Sequence, residues 1–224
     1  LPMKANSVRV KGKNFRDFCG KPLFRWILDT LLAVEEINQI IINTDARHIL
    51  SENGLSDTDR IIIRDRKPEI CGDNVSMNLV LADDVDNVQS DLYLMTHTTN
   101  PLMSADTIRK AIAAFMDVKA TNAADSLFSV NKVKTRFYRS DCSPVNHDPN
   151  NLIPTQDLEP WFEENSNLYL FTAESFAKTK ARIGMKPMMY ESPAFEAIDI
   201  DSPSDWDYAA VAARLIQEQA KTTQ

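Results

Sequence analysis

Four cationic side chains lie within the first 13 residues of a chain whose formal net charge is −7. A local reversal of charge of this kind is typical of a site that binds a multiply charged anion. The cations occupy a polar loop between a short apolar start and an amphipathic segment, which is where open α/β sheets bind ligands. We therefore expect a phosphate-binding loop, and a solvated basic loop is the alternative. The residues of this phosphate loop are Lys4, Ala5, Asn6, Ser7, Arg9, Lys11, Gly12 and Lys13.

Two carboxylates, Asp199 and Asp201, stand directly before Ser202 and Pro203, which predict the start of the last helix. Alternate residues of a strand point to the same side, so a strand here would place both carboxylates on one face. Such a pair suits a hard cation such as Mg²⁺, with phosphate as a further ligand. The alternative is that Asp201 helps to cap the helix while Asp199 is solvated.

A single histidine, His97, follows the apolar run 91–95 and opens a polar turn that reaches Pro101. A lone histidine is structural or solvated in many proteins. Side chains at the carboxyl end of a strand are the ones that reach ligands in α/β folds, so the position of His97 favours a ligand contact.

The elements that must position these residues alternate between buried strands and amphipathic helices, which predicts an α/β fold with a mainly parallel sheet. Ser76 and Ser104 are the expected caps of two helices, and Asp45 is the expected cap of a short helix that reaches Asn53. Another helix is expected over about 172–183. The expected strands lie at 39–43, 61–63, 91–95, 125–130, 167–171 and 188–190.

The alternation is interrupted over 131–165, a polar stretch without a helical period. We expect this stretch to leave the core as a hairpin or arm. It carries Phe137, Tyr138, Trp161 and Phe162, and exposed aromatic side chains in that number indicate an interface.

Length and composition suit one domain: the chain has 224 residues, of which 43% are hydrophobic and 25% charged. The acidic balance argues against a nucleic-acid partner. No apolar run reaches 18 residues, so no membrane span is expected. Three widely spaced cysteines suggest a reducing cytoplasm, although a leader lost upstream stays open. Neither G-x-G-x-x-G nor G-x-x-x-x-G-K-[ST] occurs, which disfavours standard dehydrogenases and P-loop NTPases.

Six motifs, in the same order, resemble those of the acylneuraminate cytidylyltransferases, the CMP-sialic acid synthetases. Each motif alone is weak to moderate, but the set covers nearly the whole chain. The matching segments are Lys4–Asn14 with Gly20–Leu23, Thr44–Asp45, Arg66–Asp73, Thr99–Leu102, Asn165–Tyr169 and Ile198–Trp206.

The resemblance implies a single nucleotidyltransferase domain over 1–224, a Rossmann-like, GT-A-type three-layer α/β/α sandwich with a mainly parallel mixed sheet. The arm at 131–165 would cross to a second copy in a homodimer. The implied reaction transfers CMP from CTP to the anomeric hydroxyl of a sialic-acid-like nonulosonic acid and releases pyrophosphate, with Mg²⁺ as cofactor. The alternatives are a non-catalytic sugar-nucleotide binder, an enzyme for another 2-keto sugar acid such as KDO, and a glycosyltransferase.

The resemblance also implies a role for each matching residue. Lys13, Asp199 and Asp201 would be catalytic, and the two aspartates would hold Mg²⁺. Without the resemblance, Arg66 and Asp73 would indicate a surface loop with a salt bridge. The implied sugar contacts are His97, Thr99, Asn165 and Tyr169. The implied nucleotide contacts are Lys4, Asn6, Ser7, Arg9, Lys13, Asn14, Arg66, Asp73 and Ser76.

Among the departures from the family pattern, three remove a cation. Val8 stands where a lysine is usual, and Thr155 and Glu163 stand where sialic-acid enzymes carry arginines. Those arginines would hold the sugar carboxylate through paired hydrogen bonds. We therefore expect Arg136, Arg139 or a cation from elsewhere to hold it, or a different acceptor acid.

Overall fold

The computed structural model describes residues 1–7 and 9–222, so Val8 lies outside the described residues. Within that part of the chain, no helix has the length and apolarity that crossing a membrane requires. The strands are β1 (Asp17–Phe18), β2 (Lys21–Pro22), β3 (Ile40–Thr44), β4 (Ile61–Asp65), β5 (Tyr93–Thr96), β6 (Ser126–Val133), β7 (Trp161–Phe171) and β8 (Pro187–Glu191). The helices are α1 (Leu23–Leu32), α2 (Arg47–Glu52), α3 (Met77–Asn87), α4 (Ala105–Ala120), α5 (Ala173–Thr179) and α6 (Pro203–Thr222).

The strands form a mixed arrangement. β3 and β4 pair in parallel, and Met3 bridges to Thr44 in the same sense. A four-stranded sheet has the order β5-β7-β6-β8. In it β7 runs antiparallel to both β5 and β6, while β8 runs parallel to β6. Three of these four strands therefore share one direction, so their carboxyl ends meet at one edge, as expected for a ligand site in an α/β fold.

The irregular part of the stretch 131–165 is shorter than the sequence predicted. β6 and β7 continue into it as a hairpin, in which Val133 pairs with Trp161. Only about 134–160 lies outside the ladder, and this part contains the Tyr138–Pro144 bridge and a 3₁₀ turn at Thr155–Asp157. The sequence shows no strand alternation in this part of the hairpin because both of its faces are largely exposed, so polar residues occupy both.

Two local predictions are wrong. Asp45 does not cap α2, which begins after Ala46, because the Asp45 carboxylate instead accepts the Ala5 backbone N–H at 2.7 Å. The segment that carries Asp199 and Asp201 is not a strand: a 3₁₀ turn ends at Ala197, and an extended, unpaired stretch follows it. The Ile200 N–H bonds to the Thr99 carbonyl at 2.8 Å, and this single bond replaces a ladder.

The last helix is anchored against the first hairpin by aromatic packing. Trp206 meets Phe18 edge-on with ring centroids 5.1 Å apart, and Phe18 meets Trp26 in the same way at 5.5 Å. Edge-to-face pairs of this kind contribute roughly 0.5–1.5 kcal/mol beyond their buried area. The packing fixes the start of α6, and with it Asp201, beside the segment that follows the phosphate loop.

Candidate active site

The phosphate loop near the start of the chain and the segment before the last helix meet at Asp201. Its Oδ1 lies 3.0 Å from Nη2 of Arg9 and 3.5 Å from Nζ of Lys13. Lys13 also donates a short hydrogen bond to the Ile200 carbonyl. The structure therefore joins the basic loop to the carboxylate pair, two features that the sequence predicted separately.

The turn at Gly12 directs Lys13 inward. Gly12 has φ +63°, a left-handed conformation that glycine adopts without strain, and it opens a 3₁₀ turn over Lys13–Phe15. The Lys13 side chain is 9% exposed. Burial lowers the pKa of Lys13, and the charge of Asp201 partly opposes that shift. A buried ammonium beside a carboxylate is a fixed positive charge, which suits neutralisation of a phosphate.

Asp199 has the features of an incomplete cation site. Its Oδ1 is buried and has no hydrogen-bond partner in the described chain. Burial raises the pKa of Asp199, and the charge of Asp201 adds to the shift. No group of three or more histidine, cysteine, aspartate or glutamate side chains in residues 1–7 and 9–222 is arranged to hold a metal. The residues therefore fit Mg²⁺ only as a two-carboxylate site whose other ligands are phosphate and water.

The phosphate loop is tied down on both sides. Lys4 Nζ lies 2.7 Å from Asp73 Oδ1, so Asp73 serves here as the partner of a loop cation. Asn14 donates from Nδ2 to the Lys4 carbonyl at 2.8 Å and accepts from Thr98 Oγ1 at 2.7 Å. Asn14 therefore connects the loop to the turn at the end of β5.

Arg66 and Ser76 occupy supporting positions. Arg66 is buried, and its guanidinium donates to Oδ1 and the carbonyl of Asn43 and to the carbonyl of Met3. Burial also lowers the pKa of Arg66. Ser76 is exposed and caps α3 by accepting the Asn78 N–H, as the sequence predicted. Their direct contact with a nucleotide stays a prediction.

Asn6 and Ser7 lie in the loop itself, between Lys4 and Arg9, where Asn6 is exposed and Ser7 is half-buried. Thr99 is half-buried at the end of β5. Its carbonyl accepts the Ile200 N–H at 2.8 Å, which holds the segment of Asp199 beside the turn after β5. Asn6 and Ser7 therefore lie in the basic loop, and Thr99 lies in the turn that is bonded to the segment of the carboxylates.

His97, Tyr169 and Arg182 form a second group beside the first. Arg182 stacks on the Tyr169 ring at 3.8 Å from its centroid, and Nη1 of Arg182 lies 3.4 Å from Nε2 of His97. Burial, followed by the charge of Arg182, lowers the pKa of His97 to about 3. Burial and a hydrogen bond to Glu164 raise the pKa of Tyr169 to about 12. At neutral pH the imidazole and the phenol are therefore uncharged, and Arg182 supplies the positive charge.

Asn165 does not offer its side chain to a ligand in this structure. Its Oδ1 accepts from Ser129 Oγ at 2.6 Å and from the Asn167 N–H at 3.3 Å. Its Nδ2 donates to Asn131 Oδ1 and Ser192 Oγ, each at 2.8 Å. These bonds surround an irregularity in the β6–β7 pairing between Phe128 and Val130. The side chain of Asn165 therefore holds the sheet together here, and its contact with a sugar stays a prediction.

Arg182 is the site residue that sequence reasoning missed. The expected helix over 172–183 would have placed it on an ordinary helical turn, whereas α5 ends at Thr179 and Lys180 takes a left-handed conformation with φ 55°. Lysine is an unusual residue at such a position, so the sequence carried no clear stop signal. The break turns Arg182 toward β5 and β7.

Comparison with known proteins identifies the family of the chain. A family model described as cytidylyltransferase matches residues 1–216. The chain is 27% identical to the CMP-N,N'-diacetyllegionaminic acid synthase of Legionella pneumophila, over 97% of this chain and 96% of that protein. It is 20% identical to the pseudaminic acid cytidylyltransferase of Campylobacter jejuni, over 98% of this chain and 97% of that protein.

Solved structures agree on the fold. A CMP:2-keto-3-deoxy-manno-octonic acid synthetase complexed with CTP has a TM-score of 0.64 and 14% identity, and the match covers 97% of both chains. This likeness confirms the predicted α/β nucleotidyltransferase fold with its mixed sheet. Because the family model spans nearly the whole chain, the chain belongs to the cytidylyltransferase family, as its motifs predicted.

Proposed function

We propose that this chain transfers CMP from CTP to the anomeric hydroxyl of a sialic-acid-like nonulosonic acid and releases pyrophosphate. The observation that carries the proposal is the meeting of the basic loop with the carboxylate pair, through Arg9, Lys13 and Asp201. The relatives named for legionaminic and pseudaminic acids support an acceptor of this class.

The chemistry asks for positioning and charge neutralisation. Attack of a hydroxyl on the α-phosphorus of CTP spreads charge over phosphate oxygens, so the protein must supply fixed positive charge rather than a covalent intermediate. Lys4, Arg9 and Lys13 supply that charge, with Ser7 and loop N–H groups as hydrogen-bond donors. Mg²⁺ held by Asp199 and Asp201 would neutralise further phosphate charge and stabilise the leaving pyrophosphate.

Three of the four cations of the loop already have carboxylate partners, which keeps them ordered. Lys4 faces Asp73, and Arg9 and Lys13 face Asp201. A triphosphate carries more negative charge than these single carboxylates and offers several oxygens to each cation, so it competes well for them. The ion pairs therefore prearrange the loop for the nucleotide.

A homodimer and a cytoplasmic location belong to the same proposal. The hairpin and its loop expose apolar side chains that a second copy would cover, with Leu152 at 65%, Tyr138 at 54% and Phe162 at 44% exposure. Cys19, Cys71 and Cys142 are free thiols, which suits a reducing compartment.

The test follows pyrophosphate release from CTP with a panel of legionaminic, pseudaminic, N-acetylneuraminic and 3-deoxy-manno-octulosonic acids. Release that requires a nonulosonic acid supports the proposal, and loss of release with a chelator, restored by Mg²⁺, supports the metal assignment. Preference for 3-deoxy-manno-octulosonic acid contradicts the acceptor class. Binding of CTP without release indicates a non-catalytic sugar-nucleotide binder instead.

A further inference from the structure

We propose that Arg182 binds the carboxylate of the acceptor sugar acid and so selects acids over neutral sugars; this role rests on the proposed function. The positions where sialic-acid enzymes carry arginines hold Thr155 and Glu163, and both are exposed on the hairpin or its loop. Glu163 Oε2 accepts a hydrogen bond from Asn131 Nδ2 at 3.1 Å. A cation for the acceptor must therefore come from another element.

The two arginines that the sequence suggested are held within the irregular part of the arm. Arg136 donates from Nη2 to the Ile153 carbonyl at 2.7 Å. Arg139 lies 3.5 Å from Ser143 Oγ and is exposed. Neither has a described contact with the residues of β5 or β7 that face the candidate site.

Arg182 is placed and oriented for the role. Its side chain is 21% exposed, and its Cζ lies over the Tyr169 ring, 3.8 Å from the centroid. Stacking over a ring holds a guanidinium in place, and a guanidinium can meet a carboxylate with two parallel hydrogen bonds. In this structure Nη1 of Arg182 faces His97 Nε2, and Nη2 faces Glu164 Oε1. The contact with Glu164 is made to one carboxylate oxygen, at 3.2 Å, so it is not a paired fork. An incoming carboxylate can therefore join or displace Glu164.

His97 adds a neutral donor beside the cation. Because its imidazole is uncharged and Nε2 faces the Nη1 donor of Arg182, Nε2 accepts and the hydrogen is assigned to Nδ1. The residue after His97, Thr98, donates to Asn14 Oδ1 at 2.7 Å, and Asn14 holds the Lys4 carbonyl of the phosphate loop. A carboxylate held at Arg182 and His97 thus lies near the phosphate site. In a 2-keto sugar acid the anomeric carbon carries the carboxylate, so this placement directs the attacking hydroxyl toward the α-phosphorus.

The experiment compares Arg182→Gln and Arg182→Lys with a matched control, Arg109→Ala. Arg109 lies on α4, where its partners are the Ala33 carbonyl and Glu36. We expect Arg182→Gln to raise the KM for the sugar acid about 10- to 100-fold, the range for losing a charge-assisted pair, while the KM for CTP changes less than about twofold. Arg182→Lys should recover part of the loss, and Arg109→Ala should behave as wild type.

An analogue separates carboxylate recognition from a structural effect. The same sugar with a neutral amide at carbon 1 should bind wild type far more weakly than the acid, measured by calorimetry. Arg182→Gln should bind acid and amide about equally, with an unchanged melting temperature. Equal discrimination in wild type and Arg182→Gln overturns the inference, as does a loss of discrimination only in the Arg136→Ala, Arg139→Ala double variant.

Calorimetry also keeps the two proposals apart. Sugar-acid binding that depends on Arg182 in an enzyme without turnover contradicts only the proposed function. Turnover with wild-type acid selectivity in Arg182→Gln contradicts only the role of Arg182. Failure of wild type to distinguish acid from amide contradicts that role in either case.

Discussion

Lys13 and Asp201, 188 positions apart in the sequence, lie with Nζ 3.5 Å from Oδ1. This pair closes the site: Lys13 is the last residue of the phosphate loop, and Asp201 precedes the last helix. The distance is longer than a tight ion pair, because Nζ of Lys13 also donates to the Ile200 carbonyl. The cation therefore has two anchors on the carboxylate segment and keeps its position when a ligand draws Asp201 away.

Asp201→Asn should reduce turnover about a hundredfold or more without unfolding the protein. The change removes a charge that the proposed metal site needs, and one lost transition-state contact of this kind costs several kcal/mol. Pyrophosphate release at saturating Mg²⁺ measures the effect, and circular dichroism checks the fold. Asp207→Asn is the matched control, since Asp207 is exposed on α6. Near-normal turnover of Asp201→Asn would remove this residue from the site.

Lys13→Ala should raise the KM for CTP more than the KM for the sugar acid. Lys13 is buried against Asp201 and its charge is assigned to the triphosphate. Steady-state kinetics with each substrate varied in turn gives both constants. Lys11→Ala changes an exposed cation of the same loop and should have a much smaller effect. An effect of Lys13→Ala confined to the sugar would contradict the phosphate assignment.

The sequence was sufficient for the elements of strong local pattern. The continuous apolar runs of β3 and β4 and the caps Ser76 and Ser104 lie where they were predicted. Each depends on interactions within a few residues, which is why a single sequence reveals them. The fold then brings the basic loop and Asp201 together, two features that only the family resemblance had assigned to one site.

The remainder depended on contacts that are distant in the sequence. The Asp45 carboxylate accepts a hydrogen bond from the Ala5 N–H instead of capping α2. The Asn165 side chain bonds to Ser129 and Asn131 of β6 and to Ser192 after β8, which are distant from it in the sequence. Arg182 reached the site because α5 ended early at a lysine with positive φ. Neither spacing nor composition records which of several partners a polar side chain will choose.

Asn165→Ala should destabilise the protein by about 2–3 kcal/mol, because it leaves several buried polar groups without partners. Urea unfolding at neutral pH measures this change. The KM for the sugar acid should stay within about twofold of wild type in the folded variant. A large rise in that KM at unchanged stability would restore Asn165 as a sugar contact. Ser140→Ala, in the exposed part of the arm, provides a control for the unfolding measurement.

His97→Gln should reduce the amount by which the free energy of unfolding falls as the pH is lowered. The pKa of His97 is lowered from 6.5 to about 3 in the folded protein. Between those values the unfolded chain binds a proton that the folded chain does not, so stability falls as the pH drops below 6.5. Wild type should lose about 2 kcal/mol more than His97→Gln between pH 7 and pH 5, a window above most carboxylate titrations. If wild type and His97→Gln lose the same stability between the two pH values, His97 is an ordinary solvated histidine.

The hairpin should hold two copies together. Phe162 is 44% exposed on β7, and Phe137 stacks on Trp161 at 5.2 Å between ring centroids, so the arm presents an ordered apolar surface. We expect light scattering at micromolar concentration to give twice the chain mass, and Phe162→Asp to shift the protein to the monomer, because a carboxylate in an apolar interface has no partner.

Tyr208→Asp is the matched control for this change. Tyr208 is 69% exposed on α6, away from the hairpin in sequence, so the same loss of an aromatic and gain of a charge should leave the dimer intact. A wild-type monomer would contradict the proposed dimer. A dimer that survives Phe162→Asp but dissociates with Tyr208→Asp would place the interface on α6, where Val211 and Leu215 are also exposed on the helix. The arm would then be free of a partner, and a sugar pocket completed by a second copy would have to be abandoned.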